Sequence, residues 1–353
     1  MRKKLPNTVL NEHNLLEVMN PQLEYLDLQY KEDISNDLIN KIGYLAPNLK
    51  ELNLTAVPIT NEVLIELGIS CKSLEAVDIS LCHNLEEHAI LRFLKNKLDL
   101  KKFAANHLED SFTDACLEVL GECEMLHTLS INFCREVSSA GIQALAKREF
   151  VSLGLADLPQ AKQEDFAMLI SNSAEKLTHL NLSFNATKEV SNPLMVKVGM
   201  CLQLRELVLT GCECLSDEGM NNLIYGDKLK GKTPEGLEHL STLKIGGVFN
   251  LSDNVYQLLK RCPALSFIEC NNLERLTDHF LDQLKSLSWI KTVLLNFTPN
   301  ISDEKFKEVK ESSKNIKFIR NIVKMTDPGD DGLRMPIPPA SLKIKKPKKP
   351  KKK

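Results

Sequence analysis

Apolar positions along this chain recur in a fixed phrase, L-x-x-L-x-L, with other apolar residues allowed. It opens with Leu23-Leu26-Leu28 and continues through Leu49-Leu52-Leu54, Leu74-Val77-Ile79, Leu100-Phe103-Ala105, Leu126-Leu129-Ile131 and Phe150-Leu153-Leu155. Leu177-Leu180-Leu182, Leu204-Leu207-Leu209, Leu240-Leu243-Ile245, Leu265-Ile268-Cys270, Ile290-Val293-Leu295 and a degenerate Ile316-Ile319 complete it. The intervals between first positions are 26, 25, 26, 26, 24, 27, 27, 36, 25, 25 and 26 residues. Alternation within each phrase predicts a short strand with its apolar side turned to a core.

Each unit has a second half. Beyond each strand phrase comes a hydroxyl residue followed by an acid or amide, as in Ser35-Asn36-Asp37, Thr60-Asn61-Glu62, Thr113-Asp114, Ser216-Asp217-Glu218, Ser252-Asp253, Thr277-Asp278 and Ser302-Asp303-Glu304. The hydroxyl can cap the free N–H groups of a helix, and the acid favours the helix's positive end. Apolar residues at helical spacing follow, as in Gly219-Met220-Leu223-Ile224. A strand, a turn, a helix and a return cannot bury an apolar face alone. Neighbouring units must stack, which predicts an α/β solenoid of about 12 strand–helix repeats with strands on the concave side. We expect three parts. Residues 1–20 cap the first repeat through a helix carrying Val9, Leu10, Leu15, Leu16 and Val18, and 21–325 form the solenoid, with a basic insertion near 226–238 in the long interval. Residues 326–353 form a disordered tail rich in proline and lysine.

The cysteines follow the same frame. Cys71, Cys123, Cys201 and Cys262 each precede a first leucine by three residues, and Cys82, Cys134 and Cys212 each follow one by eight. Cys262-Pro263-Ala264-Leu265 and Leu207-Val208-Leu209-Thr210-Gly211-Cys212, continued by Leu215-Ser216-Asp217-Glu218-Gly219-Met220, resemble the cysteine-containing leucine-rich repeats of the F-box/leucine-rich-repeat family. The resemblance covers residues 21–322 and implies a leucine-rich-repeat horseshoe like that of ribonuclease inhibitor. It also implies a part in recognising proteins, in some members as the substrate receptor of a ubiquitin ligase. Only 22 residues precede Leu23, and Leu5-Pro6 is the sole echo of an F-box start, so the chain looks more like members reduced to the repeat array.

Composition narrows the chemistry. No apolar run is long enough to span a membrane, and the basic start Met1-Arg2-Lys3-Lys4 lacks the apolar stretch of a secretory signal. Ten cysteines without that signal are expected to be reduced, in an intracellular setting: the cytoplasm, with nucleus, cilium or cytoskeleton open. Net charge is −2, yet residues 343–353 hold eight lysines and no acid, leaving residues 1–342 at −10. Gly226-Asp227-Lys228-Leu229-Lys230-Gly231-Lys232-Thr233 satisfies the phosphate-loop pattern, but it follows a helical stretch instead of a strand and runs into Pro234. We read it as a chance match. Cys201, Cys212, Cys214 and His179 show no paired zinc knuckle, and no nucleophile motif occurs. No catalytic residue, metal, cofactor or small-molecule substrate is expected.

The concave face remains. Alternation turns outward Tyr25, Asp27, Glu51 and Asp78 early, Lys102, His179 and Glu206 in the middle, and Phe267, Glu269, Leu294 and Phe318 late. Apolar residues on a solvent-facing sheet call for a partner, or for the tail folded back over them. The leading expectation is a non-enzymatic scaffold that grips one or more proteins along this face. Two alternatives stay open: a substrate-recognition component of an SCF-type ubiquitin-ligase assembly, and a structural subunit of a ciliary or other cytoskeletal assembly. The tail lysines Lys343, Lys345, Lys346, Lys348, Lys349, Lys351, Lys352 and Lys353 have no aromatics among them to stack bases. They offer only sequence-blind attraction to a polyanion such as tubulin tails or nucleic acid, or a nuclear-import signal.

Overall fold

Twelve three-residue strands pair in chain order into one parallel sheet. They are β1 (Tyr25–Asp27), β2 (Glu51–Asn53), β3 (Ala76–Asp78), β4 (Lys102–Ala104), β5 (Thr128–Ser130), β6 (Ser152–Gly154), β7 (His179–Asn181), β8 (Glu206–Val208), β9 (Thr242–Lys244), β10 (Phe267–Glu269), β11 (Thr292–Leu294) and β12 (Lys317–Ile319). This computed structural model describes residues 10–185, 190–225, 237–313 and 315–320. The chain divides into Met1–Asn321 and Ile322–Lys353. The 326–353 tail and the 226–236 part of the insertion, with its phosphate-loop match, lie outside the described residues.

Register is uniform. Leu26 lies opposite Leu52, Leu52 opposite Val77, and Val77 opposite Phe103. The middle residue of every strand therefore enters one continuous core, and its two neighbours stand on the other face. A helix or helical turn returns the chain between strands, its inner residues joining that core, as Val63, Leu64 and Leu67 do in Asn61–Ser70. Ahead of β1, the helix Glu12–Val18 is capped by Asn11, and Leu10, Leu15 and Met19 are buried with the first repeat.

Polar side chains stitch successive repeats together. The Sγ of Cys82, Cys134 and Cys212 donates to a carbonyl of the preceding repeat, Leu54, Ala105 and Leu182, at 3.2, 3.0 and 3.1 Å. Asn185 fills the same place in its repeat, its Nδ2 donating to Leu155 and Leu182 carbonyls, both at 2.9 Å. Where other repeats have Cys71 or Cys123, Lys97 is buried and its ammonium donates to the Cys71 carbonyl. Burial pulls the Lys97 pKa below the usual lysine value.

The acid after the hydroxyl has a second use. Asp114 accepts from the N–H and Oγ of Ser138, one repeat on, at 2.7 and 2.5 Å. Asp217 does the same for Ser252, Asp253 for Thr277 and Asp278 for Ser302. These acids, expected at the positive end of their own helix, direct their hydrogen bonds to the next repeat's cap.

One expectation is corrected here. Phe318 does not face outward: it pairs with Val293, is 5% exposed and meets the Phe306 ring edge-on at 6.1 Å. Lys317 and Ile319 take the outward places, opposite Thr292 and Leu294. The stretch Asn315-Ile316-Lys317-Phe318-Ile319 is apolar at three of its last four positions, so its pattern allows either parity. A slip of one residue reverses a strand's faces, and the larger Phe318 wins the core. Arg320 also turns inward, stacking on Phe306 and donating to the carbonyls of Thr298 and Ile301.

Candidate functional site: the concave face of the sheet

The outward residues form two rows across the strands, one from each strand's first residue and one from its third. Early strands bring together Tyr25, Asp27, Glu51 and Asp78, as expected. Tyr25 Oη lies 3.3 Å from Asp27 Oδ2; burial, then this carboxylate, push the phenol pKa up. Lys102 reaches back to Glu51 at 3.6 Å, and Lys244 to Glu206 at 3.4 Å. His179 is exposed, its Nδ1 2.8 Å from the Thr178 hydroxyl. Late strands set Phe267, Leu294 and Ile319 partly exposed around Glu269, whose Oε1 accepts from Asn271 at 2.7 Å.

Several of these polar groups serve the backbone. Two residues past most of the strands a main-chain N–H is left out of the sheet, and side-chain oxygens receive it. Asp27, Asn53, Asp78 and Asn181 accept from Gln29, Thr55, Ser80 and Ser183 at 2.9–3.1 Å. In the middle the acceptor comes from the preceding repeat: Ser80 for Asn106, Asn106 for Asn132, and Asn132 for Ala156, at 3.0, 2.9 and 2.8 Å. Asn132 can do this because β6 ends in Gly154, where a Cβ would sit 2.8 Å from its Nδ2. This amide ladder was not foreseen, although Asn53-x-Thr55 and Asn181-x-Ser183 are readable Asx turns.

One residue further, every turn after β1 to β11 uses a left-handed conformation. Glycine fills it only at Gly211 and Gly247; elsewhere stand Tyr30, Ala56, Leu81, His107, Phe133, Asp157, Phe184, Asn272 and Phe297. These make a rim along one side of the face. His107 stacks on Phe133 at 4.3 Å, Phe133 lies 5.7 Å from Phe184, and Arg135 pairs with Asp157 at 2.7 Å. Burial lowers the His107 pKa, with Glu109 opposing.

The thiols are turned away from chemistry. Nine cysteines are buried, and Cys214 is exposed. Burial pushes Cys71, Cys116 and Cys123 up to about 11, and Cys82, Cys134, Cys201, Cys212 and Cys262 up to about 12. Thiols held protonated are poor nucleophiles and poor ligands. Among the described residues no group of three or more His, Cys, Asp or Glu side chains could hold a metal ion, and no helix is long and apolar enough to cross a membrane.

The family model for leucine-rich repeats matches residues 122–146, the unit that contains β5. The chain has the leucine-rich-repeat fold. Among solved structures it is similar to the yeast complex of Rad7 and Elc1, with a TM-score of 0.60 and 18% identity over 92% of this chain and 83% of that one. It also matches the TLR13–ssRNA13 complex at a TM-score of 0.41 and 16% identity, over 80% of this chain and 44% of that one. The Rad7 likeness supports the leucine-rich-repeat horseshoe as the fold.

Proposed function

We propose that this leucine-rich-repeat protein is a non-enzymatic scaffold that holds a partner protein along its concave face. One observation carries the reading: Phe267, Leu294 and Ile319 stand partly exposed on adjoining strands of a face that no described helix covers. Such a patch favours association. A substrate-recognition role in a ubiquitin-ligase assembly is a second reading, supported by the yeast neighbour, which was solved with a second protein, Elc1.

Affinity capture of the full chain beside Phe267→Asp and Leu294→Asp, each checked for unchanged melting, tests the scaffold. Partners identified by mass spectrometry should be lost from both variants. An unchanged partner set would remove the late concave strands from the reading. Ligase subunits among the lost partners would favour the second role, and tubulin or axonemal proteins a cytoskeletal one.

A further inference from the structure

The left-handed turns along the rim are not filled alike. After β8 and β9 they hold Gly211 and Gly247, the residue that this conformation favours. After β4, β5 and β7 they hold His107, Phe133 and Phe184 at φ of 59, 62 and 58°, where a bulky side chain is unusual. The core does not require these rings: the next residue in each turn, Leu108, Cys134 or Asn185, is the buried one. His107, Phe133 and Phe184 stay partly exposed and form one ridge, the first pair of rings 10° from parallel and the second tilted by 44°. Strands lie about 4.8 Å apart, so three steps from β4 to β7 give the ridge a run of about 14 Å. It ends against Gly211, where a Cβ would meet the Phe184 ring at 2.7 Å.

Charge along the array is just as uneven. Residues 10–150 hold 23 acidic and 12 basic side chains, a balance of −11, whereas residues 151–321 hold 21 and 20. Glu109, Asp110 and Glu136 stand exposed two or three residues past His107 and Phe133, with no ion pair among the described residues. Arg135, the cation on the same turns, is engaged by Asp157, whose side chain is only 17% exposed. With its pKa lowered by burial, the His107 ring is neutral at pH 7 and adds no opposing charge. Beside the ridge the sheet carries the small residues Ala104, Ser130 and Gly154, and the amides of Asn106 and Asn132 are engaged with one another and with the turns. What a ligand meets here is rings and negative charge.

A planar cation answers both. Guanidinium stacks on aromatic faces and is more weakly hydrated than an ammonium, so arginine gains more on such a ridge than lysine. The bases of a nucleic acid would stack too, but its phosphates would meet the same acids. We infer that the ridge of His107, Phe133 and Phe184 receives an arginine-bearing basic segment of a partner protein, a guanidinium lying on the rings with its charge met by Glu109 and Glu136. This surface belongs to β4–β7 and is separate from the apolar patch on β10–β12; it goes beyond the reading of that patch and does not depend on it.

Fluorescein-labelled decapeptide pools, random over uncharged residues except at two fixed central positions, test it by anisotropy with the full chain. The fixed residues are arginine, lysine or citrulline, which keeps the plane and loses the charge. The arginine pool should bind about tenfold more tightly than either of the others. Phe133→Gly/Phe184→Gly puts into these turns the residue already used after β8 and β9, so it should fold, with urea denaturation as the check, and bind the arginine and lysine pools equally. Glu109→Gln/Glu136→Gln leaves the rings in place and should weaken both cationic pools and flatten their salt dependence between about 50 and 200 mM. Phe297→Gly, in the turn after β11, should change nothing. Equal binding of the arginine and lysine pools by the unaltered chain, binding of no pool, or unchanged binding in the glutamine variant would overturn the inference. So would an arginine preference kept by a folded glycine variant, or tighter binding of an oligouridylate than of the arginine pool. Leu294→Asp should leave peptide binding intact, so the late-strand reading and this one fail separately.

Discussion

At the scale of single residues, the cysteines tie the fold to pH. The folded chain holds nine thiols protonated, while in the unfolded chain they ionise near 8.5. The folded state therefore binds more protons above that value. Stability is intact below about pH 8.5 and falls as pH rises towards 11–12, by about 1.4 kcal/mol per pH unit for each fully buried thiol. Several thiols acting together match a typical domain stability of about 5–15 kcal/mol, so we expect a sharp alkaline unfolding transition. Circular dichroism against pH should show it, and Cys116→Val, Cys262→Val and Cys270→Val combined should move the midpoint upward. An unmoved midpoint would assign the transition to other groups. In native protein near pH 8, Cys214 alone should react readily with a thiol reagent.

At the scale of elements, strand existence was legible because leucine spacing repeats, and helix starts were legible because hydroxyl residues precede them. Parity at the worn end of the array was not. Ile316, Phe318 and Ile319 satisfy two registers, and only pairing with β11 and the space beside Phe306 decide between them. Phe318→Asp should therefore destabilise by about 3–5 kcal/mol, and Ile319→Asp by less than about 1 kcal/mol, in urea denaturation. The reverse order would restore the alternative register. The candidate site was legible only in part. Alternation placed Phe267 and Leu294 on the outward rows, but the relay from Asn106 to Asn132 and on to Ala156 has meaning only once successive repeats are laid side by side.

At the scale of the molecule, charge separates the two units: residues 1–321 carry −9 and residues 322–353 carry +7, with eight lysines in residues 343–353. Association with a polyanion through that block should weaken steeply with salt. Deleting residues 340–353 should abolish binding to microtubules and RNA, compared at about 50 and 200 mM salt, and leave the melting temperature within about 1 °C, because all the described strands and helices remain. Retained binding would place the contact on the repeats.

The uniform register has a consequence for how the chain is made. Asp114 waits for Ser138, Asp278 for Ser302, and the Ala105 carbonyl for Cys134, separations of 24, 24 and 29 residues. No described partner of these groups lies beyond a neighbouring repeat, so a nascent chain leaving the ribosome can complete each layer as soon as the following one emerges. Folding then keeps pace with synthesis, and the apolar face that waits uncovered at any moment is one repeat wide.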